Sequence, residues 1–228
     1  MAPLHPGLYA IVDLASLAPL GLDAIEFARA VLSARPSALQ VRAKGGHARE
    51  LLGLLRALAP ACRAAGVPLV ANDRVDLAIL SGCGFVHVGQ EDMTVEQVRR
   101  VSPDLRLGIS THTEAQLSLA LAARPDYVAY GPIFETRSKE APDPSVGTSG
   151  LALASRHAVQ AGVPLVAIGG ITLERAPEVR PYAVAAAVIQ GLLPVSAKGD
   201  GAYEEVRERA HALHAALGGV REAPAPSA

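Results

Sequence analysis

Two aspartates, Asp73 and Asp92, sit just beyond short apolar runs, VPLVAN (67–72) and FVHVG (85–89). Arg42 and Lys44 close another such run, ALQVRA (38–43), and Lys139 lies in the polar stretch PIFETRSKEAPDPSVGTSG (132–150). Two carboxylates with three cations suit a polyanion bound together with a hard cation. Mg2+ takes one or two carboxylates and completes its octahedron with water and phosphate oxygens. Arginine and lysine neutralise the phosphate charge that remains. Each of these residues alone also reads as a solvated loop charge or surface ion pair. Their shared placement at the ends of apolar runs sets the group apart.

Eight such runs recur: LYAIVD (8–13), ALQVRA (38–43), VPLVAN (67–72), FVHVG (85–89), LRLGIS (105–110), DYVAYG (126–131), VPLVAIGG (163–170) and AVAAAVI (183–189). They are nearly continuous in apolar character rather than alternating, as strands are when both faces of a parallel sheet are covered. Amphipathic segments with helical spacing, such as 48–66 and 113–125, lie between them. Eight strand–helix units in so short a chain predict a (β/α)8 TIM barrel. A doubly wound open sheet is the competing reading, but no GxGxxG follows the first strand.

In a barrel the C-terminal ends of the strands share one face, so residues just beyond each run converge. Those positions hold Gln40, Arg42 and Lys44, then Asn72 and Asp73, then Gln90 and Asp92. Ser110, Thr111 and His112 follow strand five, and Thr136, Arg137, Ser138 and Lys139 lie beyond strand six. Strand seven ends in Gly169 and Gly170, and strand eight near Gln190 and Gly191. The two glycines in AIGGIT (167–172) read as a tight turn or as a second anion site, where backbone N–H groups and a following helix start meet a phosphate. His112 reads as a general acid or base, or as a helix cap or rim hydrogen-bonding group. His87, inside a strand, reads as a packed and hydrogen-bonded core residue. No Ser-His-Asp order and no HExxH pattern supports a hydrolytic triad or a zinc protease.

The whole chain bounds these readings. At 228 residues it can bury one sizeable core, and a single barrel over 1–219 is expected, with a proline- and alanine-rich, disordered tail at 220–228. A net charge of −1 argues against a broad nucleic-acid or polybasic membrane surface. The first residues, MAPLHPGLYAIVDL, lack the basic start and long apolar core of a signal peptide, and no run approaches the roughly 20 apolar residues of a membrane span. Cys62 and Cys83 lack metal-ligand spacing and read as buried free thiols, so a cytoplasmic location is expected.

The motifs QVRAK (40–44), ANDRVDLAILSGCGFVHVGQEDM (71–93), LGISTHT (107–113), DYVAYGPIFETRSK (126–139) and VPLVAIGGIT (163–172) carry a resemblance. Along nearly its whole length the chain resembles the bacterial thiamine-phosphate synthase family, which has a (β/α)8 barrel. The resemblance implies that hydroxymethylpyrimidine pyrophosphate is joined to hydroxyethylthiazole phosphate, or its carboxylated form, releasing pyrophosphate. It implies Mg2+ on Asp73 and Asp92. Gln40, Arg42, Lys44, Asn72, Ser110 and Lys139 would hold the pyrimidine pyrophosphate. Of these, Arg42, Lys44, Ser110 and Lys139 are the expected catalytic residues. Thr136, Ser138 and Gly170 would hold the thiazole phosphate, with Gln190 and Gly191 completing that site.

Two departures stand out. The family's usual Arg-Glu-Lys is here Arg42-Ala43-Lys44, and alternation along a strand turns Ala43 away from the two cations. Strand eight ends VIQGL (188–192) where the family usually has a serine, so a phosphate there would rest on backbone N–H groups. Two other functions fit parts of the pattern. A thiazole tautomerase of the same superfamily shares the style of loop six and a histidine like His112, without needing the paired aspartates. A degenerate phosphate-ligand sensor would accommodate the altered strand-eight end.

Overall fold

The computed structural model describes residues 4–136, 144–195 and 199–219. The expected tail, 220–228, lies outside the described residues. Eight parallel strands close into a barrel in sequence order: β1 Gly7–Asp13, β2 Ala38–Arg42, β3 Leu69–Asn72, β4 Phe85–Val88, β5 Arg106–Thr111, β6 Tyr127–Tyr130, β7 Leu165–Ile168 and β8 Ala185–Val188. Pairing of β8 with β1 completes the ring. This is the (β/α)8 barrel expected from the eight apolar runs, each strand lying within two residues of its run.

Two apolar layers explain why the strands read as continuous hydrophobic runs. One face of each strand meets the helices: Leu8, Ala10 and Val12 of β1, Leu39 and Val41 of β2, and Val86 and Val88 of β4 belong to that outer layer. The alternate residues fill the lumen, among them Tyr9, Ile11, Ala38, Val70, Phe85, Tyr127 and Val166. A core filled from both sides is a packed solid, not a pore.

The helices follow from local chemistry. In α3 (Ala48–Ala65) the buried residues Leu51, Leu55, Leu58 and Cys62 recur at three and four residues, the spacing of a helix stripe. The helix ends at Gly66, which takes the left-handed φ of +70° that stops a helix cheaply. In α5 (Val95–Val101) Thr94 and Gln97 cap each other reciprocally, satisfying two N–H groups at the helix start. Thr113 caps the next helix in the same sense, accepting from Gln116 N–H, so these two helices begin promptly after their loops.

Candidate active site

Alternation along β2 sends Gln40 and Arg42 to the lumen side and packs Ala43 against the outer layer. The glutamate missing from this position would therefore have pointed away from Arg42. At the next strand end Asn72 accepts a hydrogen bond from the buried Gln40, Nε2 to Oδ1 at 3.0 Å. Arg42 does not project freely. Its Nη1 meets the Asp13 carboxylate at 2.5 Å, and β1–β2 register places Asp13 directly beside it. Asp13 is 3% exposed and also accepts from the Ser16 hydroxyl at 2.6 Å and from the Ser16 N–H at 3.2 Å. One buried carboxylate thus starts the short α1 (Leu14–Leu17) and aims a guanidinium. Lys44, two residues past β2, is exposed.

Asp73 and Asp92 are brought together. Asp73 sits in a left-handed turn, φ +61°, with its N–H donated to the His87 carbonyl at 2.7 Å. Asp92 folds back so that its carboxylate accepts from Gly89 N–H at 2.7 Å. Burial pushes the Asp73 carboxyl up to about 6, and the charge of Asp92 and a side-chain hydrogen bond with it push the same way. Arg42 and Lys44 lie close enough to oppose the rise. Two carboxyl groups in contact call for a shared proton or a cation between them.

Hard oxygen donors in that number fit Mg2+, which is satisfied by one or two carboxylates when phosphate oxygens and water complete it. No group of three or more His, Cys, Asp or Glu suited to a metal occurs among the described residues. Two carboxylates alone would leave most of the coordination of such an ion to water and phosphate oxygens.

Ser110, at the end of β5, holds two contacts: its hydroxyl lies 2.8 Å from His87 Nε2, and its carbonyl accepts from Gln90 Nε2 at 2.6 Å. His112 serves the rim. Its Nδ1 donates to the Gly131 carbonyl at 2.6 Å, tying β5 to the start of loop six. The rim hydrogen-bonding reading of that histidine is the one its geometry bears out, while Thr113 caps the following helix, α6 (Glu114–Ala122).

Loop six is anchored where it leaves β6. Ile133 N–H donates to the Ile168 carbonyl at 2.9 Å and Phe134 N–H to Gly169 at 3.1 Å, so the loop lies across the end of β7. That crossing is why two glycines follow β7. A Cβ at Gly169 would fall 2.4 Å from Pro132, and one at Gly170 2.4 Å from the Glu135 carbonyl oxygen. The helix after this turn, α8 (Ala176–Val179), starts six residues beyond Gly170. An anion at Gly170 would thus meet turn backbone rather than the helix start anticipated from AIGGIT. Thr136 is the last described residue of this loop segment, and Arg137, Ser138 and Lys139 lie outside the described residues.

Beyond β8, Gln190 opens a turn and donates to the Ser16 hydroxyl at 3.2 Å, linking strand eight to the Asp13–Arg42 pair. Gly191 presents its carbonyl to Arg209 Nε at 2.9 Å and lines a hollow with Thr172 and Glu174. A Cβ at Gly191 would lie 2.8 Å from Val188 Cγ1, so a serine there would require the Val188 side chain to give way.

Sequence reasoning missed three residues. Asp13 ends LYAIVD and could have been read as a strand-end carboxylate like Asp73. His87 is the packed, hydrogen-bonded residue its place in a strand implies, but nothing in the sequence signals that its second nitrogen reaches Ser110. Arg175 escaped because nothing in ITLERA marks it. Its guanidinium stacks over Phe134 at 4.6 Å and donates to the Gly170 carbonyl at 2.9 Å, clamping loop seven onto loop six.

The chain and its fold are similar to known proteins. The family model for thiamine monophosphate synthase matches residues 8–192. A thiamine-phosphate synthase of Koribacter versatilis is 45% identical over 176 residues, covering 74% of this chain and 80% of that protein. One from Anaeromyxobacter dehalogenans is 41% identical over 189 residues, covering 82% and 80%. Among solved structures, thiamine phosphate pyrophosphorylase from Pyrococcus furiosus superposes with a TM-score of 0.76 at 26% identity, covering 93% of this chain and 97% of that one. Matched by the family model across all eight strands and by relatives more than 40% identical, this chain belongs to the thiamine-phosphate synthase family.

Proposed function

We infer that this chain couples hydroxymethylpyrimidine pyrophosphate to hydroxyethylthiazole phosphate, or its carboxylated form, giving thiamine phosphate and pyrophosphate. The observation that supports this most is the meeting of Asp73 and Asp92 beside Arg42 and Lys44 at one end of the barrel. The C–O bond to be broken joins pyrophosphate to a benzylic-type carbon on an electron-rich aminopyrimidine, which tolerates positive charge as the bonding electrons leave with the pyrophosphate. Stabilising the departing anion is then the main catalytic demand. Arg42, held in place by Asp13, would supply fixed positive charge, and Lys44 and, from loop six, Lys139 would add to it. Asp73 and Asp92 would hold Mg2+, which when bound supplies further charge neutralisation at the leaving group.

Gln40, Asn72 and Ser110 would orient the pyrimidine half. Thr136, Ser138, Gly170, Gln190 and Gly191 would seat the thiazole phosphate. The thiazole nitrogen forms the new C–N bond with its own lone pair and has no proton to lose, so no general base is needed. This accords with His112 being committed to loop six. Binding both partners by their phosphates supplies proximity. No helix among the described residues is long and apolar enough to cross a membrane. Cys62 and Cys83 are buried and unbridged, in keeping with a cytoplasmic setting.

A coupling assay with purified protein and both phosphorylated precursors tests the reading. Thiamine phosphate should form with Mg2+ and not in EDTA. Isomerisation of the thiazole carboxylate phosphate in EDTA, without coupling, would instead identify a tautomerase. Binding of either phosphate without any reaction would identify a sensor.

A further inference from the structure

The lumen beneath the site is not uniformly apolar. A chain of polar groups runs through it: Tyr9 Oη to Tyr127 Oη at 2.8 Å, Tyr127 Oη to His87 Nδ1 at 2.8 Å, and His87 Nε2 to Ser110 Oγ at 2.8 Å. Tyr9 is 1% exposed, Tyr127 0% and His87 7%. The ring of Tyr127 fits because β5 carries glycine opposite it. A Cβ at Gly108 would lie 1.9 Å from Tyr127 Cζ. The same ring stacks on His87 with centroids 5.5 Å apart. Packing and hydrogen bonding therefore hold the imidazole in one orientation, and its far nitrogen ends on a hydroxyl at the site.

Counting protons gives the chain a direction. Each phenol has one proton to donate, and among the described residues the Tyr9 hydroxyl has a single hydrogen-bond partner, Tyr127. If Tyr127 donated to Tyr9, the Tyr9 proton would be buried without an acceptor, at a cost of about 1–3 kcal/mol. Tyr9 therefore donates to Tyr127, and the one proton of Tyr127 goes to His87 Nδ1. That nitrogen must be unprotonated, so His87 carries its proton on Nε2 and gives it to Ser110 Oγ. A proton on Nδ1, in the other tautomer or in the imidazolium, would turn both phenols round and strand the Tyr9 proton. With its oxygen already accepting from His87, Ser110 has its own O–H left for a ligand.

We propose that Tyr127 and His87 are positioning residues that fix Ser110 as a hydrogen-bond donor toward an acceptor atom of the pyrophosphate-bearing substrate. The proposal rests on the coupling reaction inferred above for the identity of that substrate. The direction of the chain is independent of it.

The test is 15N NMR of the histidine side chains in the full-length protein, with His87 assigned by its loss in His87→Gln, alongside steady-state coupling kinetics. His87 should show a pyridine-like Nδ1 and a protonated Nε2. Tyr9→Phe should leave the proton on Nε2, because Tyr127 still has one acceptor for its proton. Tyr127→Phe should mix the two tautomers and lower kcat about ten-fold or more with little change in KM. His87→Gln, whose amide N–H can replace Nε2–H, should keep more of kcat than His87→Ala. A wild-type His87 protonated on Nδ1 overturns the proposal even if no phenylalanine variant folds. So does a Tyr127→Phe enzyme with unchanged kcat, or a Ser110→Ala enzyme that couples at the wild-type rate. If the wild-type protein does not couple the two precursors, the functional reading fails, while the tautomer measurement still decides the direction of the chain.

Discussion

His87 and His214 are both buried, and they occupy opposite ends of the barrel. His87 lies in β4 near the site, and side chains satisfy both of its nitrogens. His214 lies in α9 (Asp200–Ala216), against the start of β1, where its Nδ1 accepts from the Leu8 N–H at 3.3 Å. Glycines make room in both places, for different ends. Gly108 admits Tyr127, which then buttresses His87. Gly7 and Gly219 press on His214 itself, and a Cβ at either would lie 2.5 or 2.1 Å from its ring. Burial alone says little about what a histidine does. The upper one is wired to a hydroxyl a ligand can reach, and the lower one closes a strand start against a helix. The difference follows the general division of a barrel into a reactive C-terminal face and a stabilising N-terminal one.

The contrast predicts that polar substitutions at the upper end cost activity more than stability. The largest effect is expected at Asp92. Asp92→Asn keeps an oxygen for Gly89 N–H but removes the charge, so the turn should persist while coupling falls on the order of 10^3-fold. Circular dichroism and the coupling rate measured together check this. A variant that loses fold and rate in step would place Asp92 with the structural residues.

Next in size is Asp13→Asn. It weakens the pairing with Arg42 and leaves a buried guanidinium with a neutral partner. Removing one member of a buried pair costs up to about 3–5 kcal/mol when the charge stays buried. Arg42 is 13% exposed by side chain, and turning toward the open rim would relieve much of that cost. The expected outcome is a roughly 10- to 100-fold fall in kcat/KM with a modest drop in Tm. A large Tm loss with kcat/KM intact among the folded molecules would move Asp13 to the structural side of the comparison.

Asp13 also marks the boundary of what could be read from the sequence. All eight strands were legible because each is apolar on both faces, and the ends of those runs led directly to Gln40, Arg42, Asn72, Asp73, Asp92 and Ser110. The partnership of Asp13 with Arg42 was not, because it depends on the register that sets those two strand ends side by side. The polar chain was hidden for a stronger reason. Tyr9 and Tyr127 are 118 positions apart and read individually as strand aromatics. Only closure of the barrel, with glycine at 108, brings them together. Gly169 and Gly170 were legible as a turn, but the loop that crosses them was not, since the contact is between backbones and leaves no side-chain signature.

The smallest expected effect on activity lies at the lower histidine, where the comparison predicts a change in stability alone. Burial holds the His214 imidazole down at about 4, below its ordinary value of 6.5, and nearby His5 and His211 act in the same direction. A group whose folded value is depressed is neutral in the folded protein at pH values where the unfolded chain already binds a proton. Its stabilising contribution is therefore complete above about 6.5 and drains away as pH falls toward 4, by at most about 3 kcal/mol. Protonation at Nδ1 would also remove the acceptor for Leu8 N–H. His214→Asn offers an amide oxygen to that N–H and does not titrate. Its Tm should vary less than that of the wild type between pH 6.5 and 4, with the coupling rate at neutral pH within about two-fold of wild type. A wild-type Tm that is flat across this range, or a His214→Asn enzyme with coupling impaired at neutral pH, would mean that the two ends of the barrel are not separate in the way their hydrogen bonds imply.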